Sequence, residues 1–517
     1  MNKWIEFDLL PGEVWWGGAV HDGPRMPYGQ QTEAPVGADL RNLLENSGAP
    51  LLVSNRGRYV WLHRPFTFQF QTGRLKLETE GEFDQLDPLE EGHGDLKGAY
   101  LHASRNYFPA QGRMPDPMAF TTPQYCTWME MHYEPTQEKT IAYAREIIRN
   151  GFPPGVLIID DNWMKDYGTW EFHAERFPDP KQMIDTLHEM GFKIMLWVCP
   201  YVSPDSQTAR ALAKQGLLVQ DAEGRTALRR WWNGCSAVLD YTYSPALAWF
   251  KEKLDLLVQR YGVDGFKFDA GDPTGNDPEA WVTSYTWRSS NVPNEDCAAY
   301  STLGQHYPLS EYRASWKAGG APLMQRLRDK PHSWGKDGLN SLIPNAIAQG
   351  LMGYPFNCPD MVGGGWDGDL QATPFDAELF VRYAQCAALF PMMQFSTAPW
   401  NVLDASHLEY CQAAVRLRTE LGPEIAKLAE HAGTTGEPVL RPMAYEFPNH
   451  NWETVSDQFM LGSSIMVAPV LEKGAEERIV RFPEGAWRGQ DGTLVTGPCT
   501  ITAAAPLSTL PWYRLEK

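Results

Sequence analysis

The sequence predicts an α/β protein: a (β/α)8 (TIM) barrel with a β-sandwich before it and a small β domain after it. Three observations predict this. Between about residues 123 and 430, short apolar runs alternate with amphipathic helical stretches, the signature of parallel βα units. About eight such runs can be proposed there, the number a closed barrel requires. On either side the pattern changes to alternating strands broken by Gly and Pro turns. The expected boundaries are 1–115 for the N-terminal β-sandwich, 116–430 for the (β/α)8 barrel and 431–517 for the C-terminal β domain.

In the first module Phe66, Phe68 and Phe70 alternate with Thr67, Gln69 and Gln71, so one face is buried and the other wet. Apolar runs at 51–53 and 59–62 flank the turn Ser54-Asn55-Arg56-Gly57 and predict a hairpin. Trp15 and Trp16 fit either a packed sandwich core or a projection towards a pocket. The barrel strands are expected at 126–129, 156–159, 194–198, 263–268, 308–313, 332–334, 354–358 and 391–395, with insertions at 216–244 and 272–307. Helices separate them. Met183, Ile184, Leu187 and Met190 recur at helical spacing before Gly191, and Leu247, Phe250, Leu254, Leu257 and Tyr261 form a stripe closed by Gly262. Further helical stretches are read at 340–352 and 376–388, and short C-terminal strands at 464–467, 477–482 and 500–503.

Composition excludes several function classes. The 517 residues carry 45 Lys and Arg against 64 Asp and Glu, a formal charge of −19, with no basic run to meet a phosphate backbone, so no nucleic-acid partner is expected. No run of about 18 apolar residues predicts a membrane span, and acids occupy the place of a signal peptide's apolar stretch, so the expectation is a cytoplasmic protein. The eight cysteines include no CxxC pair and read as mostly reduced core thiols. The twelve histidines form no HxH or HExxH, so neither metal nor cofactor is called for. Homo-oligomerisation is left open.

In parallel barrels chemistry sits at the C-terminal ends of strands, where this sequence places Asp160, Asp269, Arg313, Asp337 and Asp360. A single strand-terminal Asp is commonly an N-cap, but five charged groups on successive strands point to a site. Within Phe266-Lys267-Phe268-Asp269-Ala270-Gly271-Asp272, strand alternation aims Lys267 and Asp269 the same way, so the ammonium is expected to keep that carboxylate ionised; a structural ion pair is the competing reading. Glycoside hydrolysis needs two carboxyl groups flanking the bond, about 5 Å apart when configuration is retained. Asp337, beside Trp334, is the candidate second acid, with burial expected to keep it protonated; it could equally cap a helix beginning near Asn340.

Several separated motifs carry a resemblance. Asp160-Asp161-Asn162-Trp163-Met164-Lys165 with Phe177-Pro178-Asp179-Pro180, Trp197-Val198-Cys199-Pro200-Tyr201, Phe266-Lys267-Phe268-Asp269, Arg313-Ala314-Ser315 with Trp334-Gly335-Lys336-Asp337, and Asp360-Met361-Val362-Gly363-Gly364 occur in that order. Gly436-Glu437-Pro438-Val439-Leu440-Arg441-Pro442 and Met466-Val467-Ala468-Pro469-Val470 follow in the last module. From about Leu51 to Pro511 the chain resembles glycoside hydrolase family 31, the retaining exo-acting α-glycosidases. The resemblance implies that Asp269 is the nucleophile and Asp337 the acid/base. It implies that Asp160, Trp163, Trp197, Lys267, Arg313, Trp334 and Asp360 bind the substrate, a small glycoside or oligosaccharide. The stretch Lys267 to Asp272 is similar to the α-galactosidase-like branch, so α-galactose is the expected terminal sugar. Asn162 to Lys165 is also similar to the α-xylosidase branch, which leaves an α-glucosidase or α-xylosidase as the alternative and a catalytically silent sugar-binding protein as the remote one. Many members place a His after the eighth strand; here the sequence reads Met392-Met393-Gln394-Phe395, and Asp272 stands where Glu is usual.

Overall fold

The structure is a computed structural model that describes residues 2–29, 34–43, 46–81, 87–272, 280–289, 292–366, 368 and 375–516. Of the insertion expected at 272–307, residues 273–279 and 290–291 therefore lie outside the described residues. The chain forms two compact units, one of residues 41–46 and 124–316, the other of residues 1–40, 47–123 and 317–517.

The first of these units carries five parallel strands: β1 (Gln124–Cys126), β2 (Val156–Ile159), β3 (Lys193–Val198), β4 (Gly265–Phe268) and β5 (Leu309–Tyr312). Val156 faces Gln124 on one side and Lys193 on the other, while Gly265 faces Met195 and Leu309. Only glycine suits that last position, since a Cβ there would sit 1.9 Å from the Leu309 carbonyl oxygen. Helix Pro180–Glu189 begins where Asp179 accepts a hydrogen bond from the Gln182 amide, and Ser244–Tyr261 stops at Gly262 with φ +83°. After β3, strand Tyr201–Val202 joins Leu228–Trp231 and Gly234–Val238 of the 216–244 insertion in a small antiparallel sheet.

The other unit contributes β6 (Met324–Arg326), β7 (Asn357–Cys358) and β8 (Gln394–Phe395), with Gln325 facing Asn357 and Met361 bridging in parallel to Gln394. The sheet order β7-β6-β5-β4-β3-β2-β1-β8 keeps sequence neighbours adjacent, which is the (β/α)8 topology. Before it lie two four-stranded antiparallel sheets that share an aromatic core: Trp15 and Trp16 are buried, and Tyr28 packs 5.2 Å from Phe68 and 5.4 Å from Phe70. The Trp15-Trp16 pair is thus core. After it, a six-stranded antiparallel sheet is dominated by the long hairpin Glu477–Gly489 and Leu494–Ala504. Among the described residues no helix is long and apolar enough to cross a membrane. All eight cysteines are free, six of them buried.

Two expected strands were misplaced: the first, expected at 126–129, is Gln124–Cys126, with Trp128–Met131 helical. The sixth strand is Met324–Arg326, and 332–334 is a turn in which Ser333 accepts from the Leu339 amide at 2.9 Å. Gln325 and Arg326 read as polar, yet both are buried: Gln325 accepts from the Ser47 hydroxyl at 2.7 Å, and Arg326 is ion-paired with Asp360. Partners supplied by the fold make those positions core, which hydropathy along the chain does not register.

Candidate active site

Asp269 follows the apolar strand β4, and its backbone amide continues the sheet by donating to the Val198 carbonyl at 2.9 Å. Its side chain is 14% exposed. The Trp197 indole N–H donates to Oδ2 at 3.0 Å, the Ala270 amide donates to Oδ1 at 2.9 Å, and Arg313 Nε lies 3.1 Å from Oδ1. The carboxylate is thereby oriented from three sides by groups on β3, β4 and the end of β5. The backbone beyond it turns sharply: Ala270 and Gly271 have φ of +57° and +71°, and the Tyr300 hydroxyl donates to the Asp269 carbonyl at 3.2 Å. Arg313 also reaches Asp272, with Nη2 to Oδ2 at 3.2 Å.

The charge partner expected for Asp269 is corrected by this geometry. The Lys267 ammonium pairs instead with Asp160 at 2.7 Å, and Arg313 supplies the positive charge at Asp269. Alternation does place Lys267 on the same face as Asp269, but its long side chain extends to the end of β2. Asp160 further accepts from the Cys126 thiol at 3.0 Å and the Asp161 amide at 2.9 Å. Trp163 is fully buried, with its indole N–H donated to the Trp197 carbonyl at 2.8 Å. It braces Trp197 from behind, where the resemblance implied contact with substrate.

Sequence reasoning missed a second group of residues here. Asp161 is buried and accepts from the Tyr167 hydroxyl at 2.9 Å and from the Asn233 amide at 3.0 Å. Burial, reinforced by the neighbouring Asp160 carboxylate, pushes its pKa up to about 7. Asn233 sits at the tip of the insertion hairpin, next to Trp232, which is 48% exposed with the Arg313 guanidinium 5.7 Å from its ring centroid. The doubled acid at 160–161 and the Trp231-Trp232-Asn233 tip were the available signals.

The remaining candidates lie in the other unit. Asp337 is exposed, in a turn closed by the Gly338 amide donating to the Gly335 carbonyl at 3.0 Å. Its expected burial is not found, and it caps no helix: Ser341 precedes helix Leu342–Leu351 without a side-chain cap. Trp334 is half-buried and donates to Asp376 Oδ2 at 3.0 Å, an oxygen that also meets the Lys473 ammonium at 2.7 Å. His332 joins the same cluster. Its Nε2 accepts from the Asp376 amide at 3.0 Å and its Nδ1 lies 2.8 Å from the Gly363 carbonyl, which fixes the tautomer with hydrogen on Nδ1. Asp360, implied to bind substrate, is fully buried, with φ +76°. Its carboxylate meets Arg326 at 2.5 Å and accepts from the amides of Lys330 at 2.7 Å and Gly365 at 3.1 Å. Burial raises its pKa against the pull of Arg326. These contacts assign it to bracing the 360–365 turn rather than to sugar hydroxyls. Among the described residues no cluster of three His, Cys, Asp or Glu could hold a metal ion.

Comparison with known proteins bears on this arrangement directly. Residues 113–428 match the model of the glycosyl hydrolases family 31 TIM-barrel domain, and residues 436–515 match that of the family 31 C-terminal domain. The mouse protein named myogenesis-regulating glycosidase is 34% identical over 416 residues, covering 77% of this chain and 57% of that protein. The α-xylosidase XylQ of Lactiplantibacillus pentosus is 25% identical over 485 residues, covering 87% of this chain and 60% of its own length. The chain spans little more than half the length of these two curated relatives. In fold, a Flavobacterium johnsoniae GH31 dextranase complexed with glucose superposes with a TM-score of 0.83 at 19% identity, over 99% of this chain and 66% of that one. With both domain models matched in order over most of its length, the chain belongs to glycosyl hydrolase family 31.

Proposed function

We propose that the protein is a retaining, exo-acting α-glycoside hydrolase that removes one terminal sugar. The observation that carries this reading is the Asp269 carboxylate, held by Trp197 and Arg313 at the end of β4 in a family 31 chain. Asp269 attacks the anomeric carbon, forming the glycosyl ester as the bond to the leaving oxygen breaks, and Asp337 delivers its proton to that oxygen. Asp337 then takes a proton from water, which attacks the same carbon and frees both the sugar and Asp269. Asp160, Lys267 and Arg313 provide charged groups for hydroxyls, and Trp232 an open aromatic face.

For the terminal sugar, the relationship to an α-xylosidase supports a gluco-configured ring, xylose or glucose, over galactose. A second reading, α-galactose, is favoured by Asp272, which replaces the usual Glu and lies 3.2 Å from Arg313. Hydrolysis of p-nitrophenyl α-xyloside, α-glucoside and α-galactoside, with Asp269→Asn as control, tests both. Turnover of one substrate that vanishes in the variant supports the reading. Sugar binding without turnover of any of the three would replace it with a silent binding protein.

A further inference from the structure

Apart from the proposed catalytic and substrate-binding residues, a cavity of about 590 Å³ opens beside the turn that follows β2. Lys139, Lys165, His173 and Arg176 line it, with Glu134 as its acid. Such a gathering is unusual in a chain of net charge −19, because like charges held together repel unless something neutralises them. Glu134 lies 3.5 Å from Lys139 and offsets that one cation. Among the described residues the Lys165 ammonium has no carboxylate partner. Arg176 spends its guanidinium on backbone carbonyls, reaching Met164 at 3.1 Å and Tyr133 at 3.4 Å. The Nδ1 atom of His173 is shielded from solvent and has no hydrogen-bond partner. The cavity wall is fixed by local structure: Asn162, with φ +67°, donates to the Tyr133 carbonyl at 2.7 Å and ties the loop after β2 to the one after β1.

We infer that this cavity is an oxyanion-binding site, formed by Lys165, Arg176 and His173, for a phosphate or sulfate group either free or carried on a sugar. Lys165 brings an ammonium, Arg176 a guanidinium anchored through two of its five N–H donors, and His173 a ring nitrogen without a partner, a donor set of the kind tetrahedral oxyanion recognition requires. The volume admits a phosphate with a sugar-sized substituent. The site is independent of the two-carboxylate chemistry and stands or falls separately from it.

Isothermal titration of the full chain with inorganic phosphate, at ionic strength held constant with sodium chloride, tests the site. Saturable binding is expected for the wild type, about tenfold weaker binding for Lys165→Ala, and recovery in Lys165→Arg. Lys165 is exposed, so the variant folds, and an unchanged melting midpoint in phosphate-free buffer checks this. Glucose 6-phosphate and glucose form the second arm. Tighter binding of the sugar phosphate than of inorganic phosphate identifies a sugar-borne group, and equal affinities identify the free ion. Absence of saturable phosphate binding, insensitivity to Lys165→Ala, or glucose binding as tightly as its phosphate would each overturn the assignment.

Discussion

The ammonium of Lys267 lies 2.7 Å from Oδ2 of Asp160, and the two side chains are 5% and 4% exposed. A pair this deeply buried adds little net stability while intact, but removing one partner strands the other charge away from water. Lys267→Met is therefore expected to cost about 3–5 kcal/mol, read as a fall in the urea midpoint at unchanged m-value. A loss below about 1 kcal/mol would mean that water reaches Asp160 and that the pair is not the buried element described.

The pKa of Asp161 makes stability depend on pH in a direction opposite to most carboxylates. Its native value is raised from about 3.8 to about 7, so between those values the native state binds more protons than the unfolded state. Stability from this group is full below about pH 4 and falls as pH rises towards 7. Asp161→Asn removes the titration, and its amide can still accept from Tyr167 while Asn233 turns its own amide round. The variant should gain on the wild type, by a few kcal/mol at most, between pH 4 and pH 8 in denaturant melts. Parallel stability profiles for the two proteins would show that Asp161 is ionised at neutral pH.

What the sequence discloses and what it conceals follow from where each residue finds its partner. Asp160 and Asp269 were legible because each ends a strand-forming apolar run, and a polar group there marks a barrel mouth whatever surrounds it. Strand β6 was not, since Gln325 and Arg326 become core through Ser47 and Asp360, both remote in sequence. Alternation gave the face on which Lys267 lies but not which acid its flexible side chain would choose. The hairpin tip was visible as an insertion, whereas the contact of Asn233 with Asp161 spans 72 residues and exists only once the chain has folded.

Gly271 shapes the turn that presents Asp269. At φ +71° an added Cβ would lie 2.5 Å from Tyr300 Cδ1, and the Tyr300 hydroxyl holds the Asp269 carbonyl. Gly271→Ala combines left-handed strain of about 1–2 kcal/mol with that clash, so Tyr300 or the turn must move. A displacement of about 1 Å at the nucleophile is enough for a fall in kcat of up to about 100-fold. Ala270→Gly, which relieves a φ of +57° in the same turn, should leave kcat near wild type. Equal losses in the two variants would locate the effect in backbone flexibility instead of the Tyr300 contact.

Asp376 unites three interactions in one carboxyl group: it caps helix Ala377–Ala388 by accepting from the Leu379 amide at 3.1 Å, accepts from the Trp334 indole at 3.0 Å and pairs with Lys473 at 2.7 Å. Burial opposes ionisation, but the Lys473 and Trp334 hydrogen bonds outweigh it and hold the carboxyl below the usual range. A depressed native pKa means stability that is present above the ordinary carboxylate pKa and is lost as pH falls through the native value. Asp376→Ala should cost about 1 kcal/mol at neutral pH through the cap alone, with the deficit shrinking in acid. It also releases Trp334, next to the proposed acid Asp337. KM for an aryl α-glycoside should therefore rise in Asp376→Ala. In Lys473→Met, which keeps both the cap and the indole bond, KM should hardly change. A rise of equal size in both variants would trace the effect to the lost charge at Lys473 and leave Trp334 with no part in it.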